Sequence, residues 1–375
     1  MHWTFITGHL DKLLVSVIFL FSLKPAHALD FQSADMLLTT ESLTEQTDVI
    51  WGFDFLDSNQ IIFTLRSGKL KVLNLTNKQI TTVNGVPTVW ARGQGGLLDV
   101  RVHPKNNQKI FITYSEPVKN GEATTAFGIA DLEKNSFKNF KKIFSATPSN
   151  NNEVHFGSRI EFDDQDHVFL TVGDRNDRPS VQNTNTHLGK LLRFNLDGSV
   201  PKDNPFTGKN NAKQEIWTLG HRSPQGLSWQ KDTQQLWLGE MGPQGGDEIN
   251  LIKKGENYGW PVVTFGREYH GPKIGEGTEK VGLMAPIAHW VPSISPSGMT
   301  FYTGDKLAKW KNNLFIGTLS GMHIRRLVIQ SDKVIQQEEL LKDMNLRFRN
   351  IRTGPDGWLY FSTDQGQIMR IKTKG

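Results

Sequence analysis

Six times along the chain an apolar strand-like run, a polar turn built on Asp, Asn or Gly, and a second apolar run follow one another. This repetition restricts the fold more than any other feature. The instances are FDFLDSNQIIFTL from Phe53, VRVHPKNNQKIFITY from Val100, IEFDDQDHVFLTV from Ile160, LSWQKDTQQLWLG from Leu227, MTFYTGDKLAKWKNNLFIG from Met299 and IRTGPDGWLYFST from Ile351. Each reads as a β-hairpin, with apolar residues at period two and turn residues that tolerate a tight reversal. An isolated hairpin cannot bury its apolar face, so six of them at intervals of roughly fifty to seventy residues imply sheets repeated around an axis. The expected fold is all-β, a six-bladed β-propeller of four-stranded antiparallel sheets. A β-helix would repeat at shorter intervals, and two sandwiches would repeat less regularly. The 35 glycines, 16 prolines and ten tryptophans suit many short strands around a substantial core.

The start of the chain reads differently. Lys12 precedes the apolar run LLVSVIFLFSL and then KPAHA, whose Ala26-His27-Ala28 has the small-x-small form of a cleavage site. We therefore expect a signal peptide at 1–28, a single propeller domain at 29–375, and a periplasmic or secreted mature protein. The apolar run is short for a spanning helix and no other long one exists, so no membrane span is expected in the mature chain. The complete lack of cysteine excludes disulfides, thiolate-bound iron–sulfur clusters, c-type haem attachment and a cysteine nucleophile. A formal charge of +5, spread along the chain, argues against a nucleic-acid partner and favours an anionic ligand. Monomer and homodimer are equally compatible with the sequence.

Within the third hairpin, VHFGSRIEFDDQDHVFLTVGD sets His155 just before one strand and Asp174 just after the next. A tight turn returns the acid to the histidine's end, so the two read either as a base with its orienter or as a solvated loop pair. In LGHRSPQGLSW, Arg222 and Gln225 lie in a Gly- and Pro-punctuated turn entering a strand, where the arginine either faces an anionic ligand or pairs with an acid on the surface. Arg347 and Arg349 in LRFRNIRTGPDG alternate across Phe348 and share one face of a strand, where they repel unless an anion or acid separates them. The turn at Gly242-Pro243, followed by Asp247 and Glu248, exposes oxygens of the kind a hard cation takes, or is simply an acidic turn. No HExxH, GxSxG or dinucleotide glycine motif occurs, and GQGGLLD leads into a strand. Two long polar segments, residues 201–214 and 265–284, are candidates for a rim that restricts access.

Taken in order, GQGGLLDV, HFGSRIEF, TVGDRND, HLGKLLRFNLDGSVPKDNPF, TLGHRSPQGL, GEMGPQGGDEINLIKKGENYGWP, VPSISPSGMTFY and RFRNIRTGPDGWLY resemble the soluble quinoprotein sugar dehydrogenases. The likeness is to the aldose sugar dehydrogenase branch of the glucose/sorbosone dehydrogenase family and runs through nearly all of the mature chain. It implies a six-bladed propeller that binds pyrroloquinoline quinone (PQQ) and calcium and oxidises aldose sugars at C1 to lactones, passing electrons to an external acceptor. By resemblance His155 is the general base, Asp174 its orienting acid, and Arg222 the arginine at the quinone's reactive carbonyl. Gln94 and Gln225 line the same pocket, the backbone carbonyls of Gly242 and Pro243 are calcium ligands, and Arg347 and Arg349 hold the cofactor's carboxylates and oxygens.

Three positions depart from the family pattern. Ser223 stands where an asparagine is common, and Ser320 where the glucose dehydrogenase branch carries a lysine to the cofactor. Val291 falls where that branch stacks a tryptophan, with Trp290 one position away as a substitute. Against the sugar dehydrogenase reading stand a calcium-dependent propeller lactonase and a non-catalytic carbohydrate- or protein-binding propeller. A neutral lactone gives Arg222, Arg347 and Arg349 no anion to hold, and the three departures are what supports the binding propeller.

Overall fold

A computed structural model describes residues 29–374. The leader expected at 1–28 lies outside the described residues. Antiparallel strands form six sheets. Five are four-stranded meanders, spanning residues 50–83, 97–145, 157–219, 223–290 and 296–340 in chain order. The sixth has four strands and one short addition at its outer edge. Its strands Phe348–Thr353, Leu359–Thr363 and Gln367–Thr373 are completed by the N-terminal strand Leu37–Glu45, and a short fifth strand, Asp30–Gln32, pairs outside it. Pairing of Leu38 with Thr373 and Thr40 with Ile371 therefore joins the two ends of the chain and closes the ring.

The six hairpins of the sequence are the first two strands of the six sheets, or blades. First strands of neighbouring blades contact one another all the way round, so they line the axis. Between each pair of blades lies one apolar cluster. Phe111 and Phe127 of the second blade, stacked at 5.5 Å, meet Ile160, Phe162 and Leu192 of the third. Fully burying side chains of this size stabilises by about 1.5–3 kcal/mol each, which holds the blades face to face. Along the axis the core is polar. Arg159, 1% exposed, donates to Asp99 at 3.1 Å and to the Gln225 carbonyl at 3.0 Å, and its guanidinium lies 4.2 Å over the Trp51 ring. This network floors a cavity at the mouth where first strands begin and second strands end. No helix among the described residues is long and apolar enough to cross a membrane.

Candidate active site

The cavity at that mouth has a volume of about 360 Å³, and Gln94, His155, Arg222, Gln225, Gly242, Arg347 and Arg349 all line it. Their common location follows from the meander. Gln94, His155, Arg222, Arg347 and Arg349 precede or open a first strand, and Gly242 follows a second strand, so each blade delivers them to one rim.

On the third blade the strands Gly157–Phe162 and His167–Val172 pair with Gly157 opposite Val172. His155 and Asp174 emerge side by side, with Nδ1 2.7 Å from Oδ1. Gly173 permits this approach, because a Cβ there would sit 2.0 Å from the His155 carbonyl oxygen. The His155 backbone is left-handed, at φ 55°, and its N–H donates to Gln94 Oε1 at 2.8 Å, so Gln94 holds the base as well as lining the cavity. Nδ1 is committed to Asp174, which leaves Nε2 as the ring nitrogen without a protein partner. Burial draws the His155 imidazolium below its ordinary value, and Arg222 and Arg175 reinforce this against the pull of Asp174. The ring is therefore neutral and able to accept a proton at neutral pH. Burial alone would raise the Asp174 carboxyl, but the bond to His155, the charge of Arg222 and the Asn176 N–H at 2.8 Å hold it lowered.

The opposite wall handles charge. Arg349 and Arg347 flank Asp364, which accepts from Arg349 Nε at 2.7 Å and Nη2 at 2.9 Å and from Arg347 Nε at 2.8 Å. The repulsion expected between the two arginines is thus relieved by an acid of the chain itself, without a ligand. Burial pushes the Asp364 carboxyl up, but the two guanidiniums outweigh it and hold it lowered. Arg349 Nη1 also donates to Gln225 Oε1 at 2.9 Å, so Gln225 is tied to this wall. Between the walls stands Arg222, 8% exposed, with its guanidinium 5.5 Å from the Trp260 ring and its Nε buried without a partner. Three guanidiniums and one neutralising carboxylate around a cavity with an orphaned donor fit a ligand carrying several negative charges.

The protein side of the expected calcium site is sparse. Gly242 O accepts from Arg222 Nη1 at 2.6 Å, and Pro243 O from the Tyr269 hydroxyl at 3.3 Å. Asp247 does not offer an oxygen either, being consumed by Gly242 N–H, the Ser293 hydroxyl and the N–H groups of Ile294 and Ser295. Among the described residues no group of three His, Cys, Asp or Glu side chains could hold a metal ion.

Three expected cofactor contacts are not among the residues that line the cavity. Trp290 lies on the outermost strand of its blade, Ala288–Trp290, and its indole donates to Gln337 Oε1 of the next blade at 3.1 Å. It cannot replace the stacking tryptophan, and Val291 beside it is exposed; the aromatic rings that line the cavity are Trp51 and Tyr269. Ser320 is exposed beside the lining serines, bonded to Ser295 Oγ at 2.8 Å and donating to the Ser293 carbonyl at 3.2 Å. Ser223 is buried in the first strand of blade four with its hydroxyl unpartnered. Sequence reasoning missed Asp364 and Trp260. Asp364 follows YFST at the end of the second strand of blade six as Asp174 follows LTVG on blade three, and that shared position was the available signal.

The Glucose / Sorbosone dehydrogenase family model matches residues 47–370, most of the chain. The chain belongs to this family. Aldose sugar dehydrogenase YliI of Escherichia coli K12 is 38% identical over 351 residues, 91% of this chain and 95% of that protein. The crystal structure of the soluble aldose sugar dehydrogenase of Escherichia coli in its apo-form superposes with a TM-score of 0.87 at 38% identity, covering 90% of this chain and all of that one. Quinoprotein glucose dehydrogenase B of Acinetobacter calcoaceticus is 27% identical over 419 aligned positions, 89% of this chain and 86% of its own length. The span matched to the glucose/sorbosone dehydrogenase family includes every cavity residue named above, Asp364 among them.

Proposed function

We propose that the chain oxidises aldose sugars at C1 to lactones with PQQ and calcium, using His155 as general base, and passes the electrons to an external acceptor. The single observation that carries this reading is a neutral, acid-backed histidine facing a cavity whose other wall is cationic. Family membership and the names of the Escherichia coli and Acinetobacter relatives support it. When bound, PQQ supplies a two-electron acceptor for the C1 hydride and calcium a Lewis acid beside it.

The chain's own residues then have distinct tasks. His155 Nε2 takes the proton of the C1 hydroxyl as hydride leaves C1, and Asp174 stabilises the imidazolium through Nδ1. Arg222, with its free Nε, faces the site where negative charge develops. Arg347 and Arg349, a net positive wall after Asp364 cancels one charge, would hold the carboxylates of PQQ. The Gly242 and Pro243 carbonyls would hold calcium, but both are neutral and already engaged. Calcium binding therefore requires the anionic oxygens of PQQ, and the chain alone should not retain it. The leader at 1–28 is read as removed on export, which leaves a periplasmic or secreted protein.

The test adds PQQ and calcium to purified protein and follows dye reduction with a panel of aldoses. Retained quinone absorbance with aldose-dependent reduction is expected. No retained quinone and no reduction would overturn the reading, lactone hydrolysis without PQQ would replace it with a lactonase, and sugar binding without turnover with a binding propeller.

A further inference from the structure

We propose that Trp260 is a positioning residue that couples the base to the arginine: its indole N–H fixes the Asp174 carboxylate toward His155, and its ring face seats Arg222. The proposal rests on the reading of His155 as base. Trp260 is 5% exposed, and its Nε1 donates to Asp174 Oδ2 at 2.8 Å. The other oxygen, Oδ1, meets His155 Nδ1 at 2.7 Å and the Asn176 N–H at 2.8 Å. A carboxylate turns easily about its last torsion, where the energy wells are broad. With both oxygens held, Asp174 cannot turn away from the histidine.

The tryptophan reaches this place from a different blade. It follows the strand Asp247–Ile252, in the segment ENYGWP, and is anchored on both backbone groups. Its N–H donates to Gly220 O at 3.0 Å, and its carbonyl accepts from Gln182 Nε2 at 2.7 Å. The ring carries a guanidinium at 5.5 Å from Arg222 and another at 5.1 Å from Arg178, which forks onto Glu268. Its apolar cluster contains only two other buried side chains, Val181 and Ile274, so core packing does not account for a tryptophan here. Asp174 thus sits in one unit with an indole donor, an imidazole and a guanidinium.

The charged groups around the pair set the sign of the effect. His155 faces Asp174, Arg222 and Arg175; Asp174 also feels Arg178, whose charge is balanced by Glu268. Arg175 donates to the carbonyls of Val154, Ala123 and Asn152 and lies over the Phe156 ring at 3.6 Å. None of these changes when Trp260 loses its N–H. Asp174 Oδ2 then has no donor and the carboxylate is free to turn from the ring, so its support of the His155 imidazolium weakens and the imidazolium becomes a stronger acid.

Trp260→Phe keeps a ring and deletes the N–H. Histidine NMR on the apo-protein, with the His155 resonance identified by its loss in His155→Ala, should show titration moved to lower pH by about half a pH unit or more. The acid limb of kcat/KM should move the same way, with kcat reduced about tenfold. Trp260→Leu, which also removes the ring face, should weaken PQQ binding by a further factor of about ten. An unmoved His155 titration in folded Trp260→Phe would overturn the proposal. Should that variant not fold, Asp174→Asn serves instead: one of the nine indole N–H resonances from residue 29 onward must shift strongly on losing its carboxylate partner, and an unchanged indole spectrum refutes the coupling. Because these titrations use the apo-protein, they fail independently of the dye assay.

Discussion

The two walls of the cavity use the same acid differently. On blade three Asp174 is shared between an imidazole and an indole, and it orients a ring whose second nitrogen stays free to take up a proton. On blade six Asp364 is shared between two guanidiniums that never give up a proton, and it separates them while leaving net positive charge. An acid at one position of the meander therefore makes either a proton-handling wall or a charge-handling wall, according to the partner on the neighbouring first strand. The walls should respond to substitution in separable ways.

The sharpest separation comes from His155→Ala. It should bind PQQ within about twofold of wild type yet lose about 100- to 10,000-fold in kcat, the usual worth of a general base. Equilibrium dialysis beside the dye assay checks both halves. Asp364→Asn should instead strike stability, because it leaves two guanidiniums facing each other unpaired; urea denaturation should record a loss of about 3 kcal/mol. The sign with pH follows from the lowered carboxyl. Asp364 contributes stability fully above its ordinary carboxylate value, and that contribution is lost as pH falls below it. Wild type should thus lose more stability than Asp364→Asn on acidification.

Arg349→Met removes one charge-assisted donor from the ligand and should weaken PQQ binding by about 10- to 100-fold, with the His155 pH limb unmoved. That limb is itself informative. His155 must be neutral to accept a proton and its imidazolium is drawn below the ordinary value, so kcat/KM should persist to pH below the usual histidine range before falling. A limb above that range would place the base elsewhere. Least affected should be Trp290→Phe, with less than about twofold change in PQQ binding, since the ring points to Gln337 on the neighbouring blade. A tenfold loss there would return Trp290 to the cofactor.

The blade hairpins were legible because both strands of each carry period-two apolar runs across a turn. Closure of the ring was not, since Leu37–Glu45 pairs with a strand more than 300 residues away and nothing local in LLTTESLTE marks that partner. The pair His155 and Asp174 could be read from one hairpin, whose two ends converge by construction. Trp260 could not, because it reaches Asp174 from 86 residues on and looks in sequence like one more turn tryptophan. Trp290 was misplaced for the converse reason: adjacency to Val291 in sequence says nothing about which side of an edge strand a ring faces, and here it faces the next blade.

The central claim is that His155 accepts a proton as hydride leaves C1 of an aldose. A single turnover tests it most directly: PQQ- and calcium-loaded protein is mixed with an aldose bearing hydrogen or deuterium at C1, with no external acceptor present. The account predicts bleaching of the quinone absorbance with one lactone formed per quinone, slower with deuterium and nearly abolished in His155→Ala. Retained quinone that does not bleach with any aldose, or a His155→Ala rate equal to wild type, would contradict it.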